Sequence, residues 1–244
     1  MCIFNENAYI GKTIILAGET VNGNHFFAYQ NSVKSETKNV MMLPIPASTD
    51  KVKLHDTSGF ADFCNIAAKE IYRKANENMR GGLSIEMGYT AVGQYRYKIV
   101  DDFIVERELI LLGLEVKPWL PQILRKYKDW KFLFCIMDAG TTMESQPLFL
   151  EYTPMFPEKF YFPMMDVHGD EEISEKVKRD HIIGICTQKQ MDKNQYKIGG
   201  LPTGFHAHDW YWIGTVTDKY TKNGDYFIKI DKSNYDDAFS AKFE

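Results

Sequence analysis

The chain has 244 residues, 44% of them hydrophobic and 25% charged, which is enough apolar material for a substantial core and excludes wholesale disorder. A net charge of −4, without a long basic stripe, lacks the electrostatic footprint of nucleic-acid binding. The four cysteines (Cys2, Cys64, Cys135 and Cys186) form no C-x-x-C pair, and no apolar run approaches the roughly 18 residues of a membrane span; the chain therefore reads as cytoplasmic, or as part of a virion if viral.

Taken in order, Thr13–Ala17 and His25–Tyr29 are apolar strands flanking Asn22-Gly23, a pair suited to a tight hairpin turn. Asn39–Ala47 (NVMMLPIPA) is an apolar strand that Pro44 and Pro46, lacking N–H donors, push toward an edge or a strand end. Asp56-Thr57-Ser58 offers capping oxygens for a helix from Phe60 to Asn76, in which Phe60, Phe63, Cys64, Ala67, Ala68 and Ile71 form a core-facing stripe. Ile85–Ile99 reads as a strand pair interrupted at Gly93.

A helix then starts at Pro118, with Leu120, Ile123, Leu124 and Tyr127 on one face. Trp130–Met137 (WKFLFCIM) is so continuously apolar that it reads as a central strand, with Leu148–Tyr152 as its expected partner. Met155–Met165 (MFPEKFYFPMM), rich in aromatics, methionine and proline, has the composition of an adaptable contact surface. Between Asp166 and Asp180, glutamates and basic residues at helical spacing predict a short solvated helix, before a strand over 180–186. Near the end, Tyr211–Val216 and Tyr226–Ile230 alternate on either side of Asn223-Gly224 and predict a second hairpin.

Two groups of residues are candidates for chemistry. Loss of Met1 would leave Cys2 with a free α-amino group beside its thiol, a nucleophile with a built-in base. Upstream of the second hairpin, His206 and His208 point the same way on an extended segment, with Asp209 adjacent; together they could ligate a divalent metal, and His168 and Asp170 could join them. No other cofactor is indicated. Walker, dinucleotide-binding and G-x-S-x-G patterns are missing from the sequence.

The Met-Cys start resembles that of N-terminal-nucleophile hydrolases with a cysteine, over the first residues alone. The order of Leu43–Pro46 (LPIP), Asp129–Met137 (DWKFLFCIM) and Gln146–Tyr152 (QPLFLEY) resembles a bacterial family known only as a domain of unknown function, which implies a shared α+β layout and no particular reaction.

These readings combine into an α+β chain with a mostly antiparallel sheet and a few packed helices: a main domain over 1–166 and a C-terminal β-hairpin lobe over 167–244, either separate or part of the same domain. The leading functional expectation is a non-catalytic protein acting through contacts with another protein or with itself. The alternatives are a hydrolase using Cys2 and a metal-dependent enzyme using His206 and His208.

Overall fold

The computed structural model describes residues 3–20, 22–55, 57, 64–65, 96–144, 147–186 and 210–229. Two sheets enclose the core, and a two-stranded ribbon packs beside them. The first sheet has the order β11-β1-β4-β7-β6 and contains β1 (Ile3–Phe4), β4 (Asn39–Ile45), β6 (Arg96–Asp101), β7 (Lys131–Met137) and β11 (Val167–His168). The second is built from β2 (Tyr9–Glu19), β3 (His25–Ser35), β5 (Ala47–His55), β9 (Leu148–Pro154), β12 (Lys176–Cys186) and β13 (Trp210–Lys222), in the order β13-β12-β2-β3-β9-β5, with β8 (Thr141–Glu144) also pairing β3. The ribbon is β10 (Lys159–Phe162) against β14 (Tyr226–Lys229). Two short helices, α1 (Val105–Leu111) and α2 (Leu120–Lys126), complete the set among the described residues of four or more. The fold is thus largely antiparallel α+β, as the sequence suggests, with two parallel pairings, β1 with β11 and β2 with β12.

The first hairpin forms as its turn residues dictate. β2 and β3 pair from Glu19 opposite His25 downward, and Gly23 takes the positive φ of 78° that the turn needs. In α2 the expected face is buried at Leu120, Ile123 and the following Tyr127, with Pro121 in the first turn, where a missing N–H costs nothing. β7 is an inner strand between β4 and β6, as its apolar run implies. β4 is also internal, and Pro44 sits past Met41 and Met42, the two residues that β1 pairs with, so no ladder bond to β1 needs its nitrogen.

Four expectations fail, each because a distant partner outcompetes local preference. Leu148–Tyr152 does not pair with β7; as part of β9 it lies between β3 and β5 in the other sheet. The charged stretch 166–180 is not a helix: it supplies β11, a turn, and the start of β12 alongside β13. Met155–Met165 is not an exposed contact surface, because Phe160, Tyr161, Phe162, Met164 and Met165 are core residues. The strands around Asn223-Gly224 do not form a hairpin with each other; β13 pairs with β12 and β14 with β10. Of the helix expected over Phe60–Asn76, Cys64 and Asn65 lie among the described residues; both are helical and buried.

The N-terminal strand is short, yet fully interior. Ile3 and Phe4 are inaccessible to solvent, sandwiched between β11 and β4. Beyond it, the Asn39 side chain accepts from the Glu6 N–H at 2.9 Å and donates to the Glu6 carbonyl at 2.9 Å, continuing the strand's hydrogen bonding after backbone pairing stops.

Candidate interaction surface and aromatic pocket

Among the described residues, four of the five exposed large apolar side chains fall in one stretch of chain: Tyr97 on β6, Phe103 in the 3-10 turn that follows, and Ile110 and Leu111 on α1. Phe103 is 76% exposed, and Leu111 66%. α1 buries Val105 and Leu109 and turns Ile110 and Leu111 outward beside the exposed Glu106 and Arg107, so the segment is anchored on one face and presents apolar side chains flanked by charge on the other. An apolar exposed strip on an anchored element suits contact with another macromolecule. The sequence composition points to Met155–Met165 as the contact surface instead; the signal for this segment is the adjacent pair Ile110-Leu111, which a single helix face cannot bury together with Val105 and Leu109.

Three polar clusters tie the strands together. Lys117, only 3% exposed, lies 2.9 Å from Asp170, 3.3 Å from Glu6 and 3.4 Å from Glu115. Burial alone would depress the Lys117 ammonium; the Asp170 hydrogen bond and the Glu6 charge outweigh it and raise the group above its ordinary range. At the edge of the second sheet, Glu151 accepts from the Asn24 amide at 2.9 Å and lies 2.8 Å from His55 Nε2. Burial would raise that carboxyl, but these two partners hold it below its usual range. Lys131 on β7 pairs with Asp101 of β6 and with Asp50 of β5, so one ammonium bridges the two sheets, and both bonds raise it.

The deepest chemistry among the described residues surrounds Asp225. Its Oδ2 accepts from the Tyr127 hydroxyl at 2.5 Å, and its Oδ1 accepts from the backbone N–H groups of Met164 and Met165 at 2.7 and 2.8 Å. Burial and the Asp225 charge push the Tyr127 hydroxyl well above its ordinary range, and burial does the same for Tyr161 beside it. A pocket of about 210 Å³ opens here, lined by Lys126, Tyr127, Trp130, Phe156, Lys159, Asp225 and Phe227.

Cys2, His206, His208 and Asp209 lie outside the described residues. Of the two residues expected to join the histidine pair, Asp170 is engaged by Lys117. His168 Nε2 is 2.9 Å from Asp166 Oδ1 but out of line for a hydrogen bond. Among the described residues no group of three or more His, Cys, Asp or Glu side chains is arranged to hold a metal ion, and no helix is long and apolar enough to cross a membrane.

Two layers of largely antiparallel sheet, with a buried N-terminal strand and an exposed apolar strip, define a β-rich framework protein. No protein-family model matches the chain, and no curated protein sequence does. Solved structures do: the chain is similar to baculovirus P35, with a TM-score of 0.53 and 15% identity, over 84% of this chain and 74% of that one. It is also similar to a mutated baculovirus P35 after caspase cleavage, with a TM-score of 0.50 and 14% identity, over 90% of this chain and 97% of that one. The chain therefore has a P35-like fold.

That finding overturns both resemblances drawn from short motifs. The domain-of-unknown-function layout rested on three pieces in sequence order, but LPIP and FLFCIM lie in one sheet while PLFLEY lies in the other, so their order encodes a different topology. The N-terminal-nucleophile resemblance rested on a few residues, and Ile3–Phe4 forms an interior strand of a P35-like sheet.

Proposed function

We propose that this protein is a non-catalytic, protein-binding protein whose target is a cysteine protease of the caspase class, which cuts it and stays bound to it. The supporting observation is the P35-like fold over 84% of the chain. The likeness extends to a caspase-cleaved P35 over 90% of the chain, so the shared framework is one that persists after a cut. This chain has the features such a role needs: polar clusters that join distant strands and would hold the framework after one peptide bond is broken, and the apolar strip at Tyr97, Phe103, Ile110 and Leu111 as contact surface.

The test is incubation of the full chain with a panel of active caspases, followed by intact-mass measurement, size-exclusion chromatography and assay of residual peptidase activity. Cleavage at a single bond, co-elution of the fragments with the protease and loss of peptidase activity are expected. An intact chain with undiminished protease activity across the panel would refute the proposal. A variant with Phe103, Ile110 and Leu111 changed to Ser should be cut but co-elute less; undiminished co-elution would remove the strip from the contact surface.

A further inference from the structure

The outer face of α1 carries charge as well as apolar side chains, and the two are laid out symmetrically along the chain. The 3-10 turn holding Phe103 runs directly into α1, because Ile104 between them already has right-handed helical angles. Phe103, Glu106, Arg107 and Ile110 are all exposed and recur at the three-and-four spacing of a single helix face, with Leu111 beside Ile110. Val105 and Leu109 point the other way, into the core. Glu108 is engaged by Lys98 at 2.7 Å. Glu106 and Arg107 are neighbours in sequence, which on a helix do not face each other. Among the described residues no ion pair engages either of them.

Outward from the midpoint between Glu106 and Arg107, an acid stands on one side and a base on the other, and beyond them an apolar residue at equal spacing, Phe103 and Ile110. Such an order is complementary to its own reverse. Two copies of the face laid antiparallel across a two-fold axis at that midpoint set Phe103 of each against Ile110 of the other. The same axis sets Glu106 of each against Arg107 of the other, so symmetry makes both pairs twice. Laid parallel, the faces would oppose Glu106 to Glu106 and Arg107 to Arg107, which charge repulsion disfavours. We propose that the outer face of α1 is a self-association surface, on which two copies of this chain pair antiparallel through Phe103, Glu106, Arg107 and Ile110. One short helix per copy makes a small interface of the transient kind, so association in the micromolar range is expected. The pairing does not depend on the protease reading; because it covers the same strip, a bound copy and a bound protease exclude each other.

The experiment is sedimentation velocity on the full chain, without protease, over a concentration series at low ionic strength. Wild type should pass from monomer to dimer as concentration rises, and added salt should weaken the dimer. E106R places two arginines, and R107E two glutamates, on each copy, so each variant alone should self-associate at least about tenfold more weakly. An equimolar mixture of these two variants should dimerise again, since every arginine then meets a glutamate. E106R/R107E, which exchanges the charges, should self-associate as wild type does. Both positions are exposed, so far-UV circular dichroism should not move, and recovery in the mixture shows that each variant is folded. A wild-type chain that stays monomeric throughout would leave the strip to other partners and overturn the proposal. Dimers unmoved by the single reversals, or a mixture that stays monomeric, would overturn it equally.

Discussion

The Asn223 side chain closes a two-bond clamp on the backbone of Asp166, accepting from its N–H at 2.9 Å and donating to its carbonyl at 2.7 Å. Asn39 makes the same reciprocal pair with Glu6. In each case an amide acts as a one-residue piece of β-ladder, joining segments 57 and 33 positions apart. Asn223 is 8% exposed, so water cannot replace what is lost on mutation. Asn223→Asp keeps the shape but sets a carboxylate oxygen against the Asp166 carbonyl, and should cost more than Asn223→Ala, which removes both bonds at about 2–3 kcal/mol. Urea midpoints should fall in the order wild type, Ala, Asp; equal midpoints for wild type and the Ala variant would show the clamp to be idle.

Asp225 and Tyr127 form a buried pair that shares a structural burden with Met164 and Met165. Removing the hydroxyl in Tyr127→Phe leaves the carboxylate two donors and should cost about 1–2 kcal/mol. Asp225→Ala strands three donors in a buried site and should cost at least about 3 kcal/mol. Because both single changes break the same bond, the double variant should be more stable than the sum of the two losses predicts, by roughly 1 kcal/mol or more in a double-mutant cycle. Strict additivity would mean that the short contact contributes nothing to stability.

These two clamps also explain where the sequence misleads. Asn22-Gly23 could be read because its turn serves only its own two strands, which then pair with each other. Asn223-Gly224 carries the same local preference, yet the neighbouring side chains are spent on Asp166, Met164 and Met165, and the strands on either side leave for different sheets. Among described non-glycine residues only Asp129 has a positive φ, so Asn223 does not take the paired positive angles that the expected turn requires. The core strand at β7 and the α2 face were legible as apolar runs and periods. β1 was not, since two residues carry no period, and neither was its partner β11 more than 160 positions away. The pocket was hidden for a related reason: its walls come from 126–130, 156–159 and 225–227, which only the folded chain brings together.

Gly169 is a position where the backbone admits no side chain. Its φ is 52°, and a Cβ there would stand 2.3 Å from Asn7 Oδ1 and 3.1 Å from the Asn7 backbone nitrogen. Its carbonyl accepts from Trp119 Nε1 at 2.7 Å, so the turn cannot shift without disturbing the indole. Gly23, with φ of 78°, has nothing within 4 Å of the same position. Gly23→Ala should therefore cost only the left-handed strain of about 1–2 kcal/mol, and Gly169→Ala clearly more, with altered Trp fluorescence. Thermal melts that rank the two variants the other way round would contradict the close approach to Asn7.

The buried tyrosines make stability sensitive to alkali rather than to neutral pH. Burial raises the hydroxyls of Tyr127, Tyr152 and Tyr161 above the ordinary value of 10.0, and the Asp225 charge adds to this at Tyr127 and Tyr161. An unfolded chain would release these protons from about pH 10, while the folded chain keeps them, so the native state binds more protons and stability falls as pH rises. The contribution is complete below pH 10 and shrinks above it. Lys117 and Lys131, whose ammonium groups are raised from 10.5, act in the same direction over the next part of the range. Tyrosinate absorbance followed during alkaline titration should therefore show a cooperative step in which Tyr127, Tyr152 and Tyr161 ionise together with loss of β-sheet circular dichroism. Tyr127→Phe should shrink that step. Independent titration of all tyrosines near pH 10, with the sheet intact, would show that these hydroxyls are not sealed in the core.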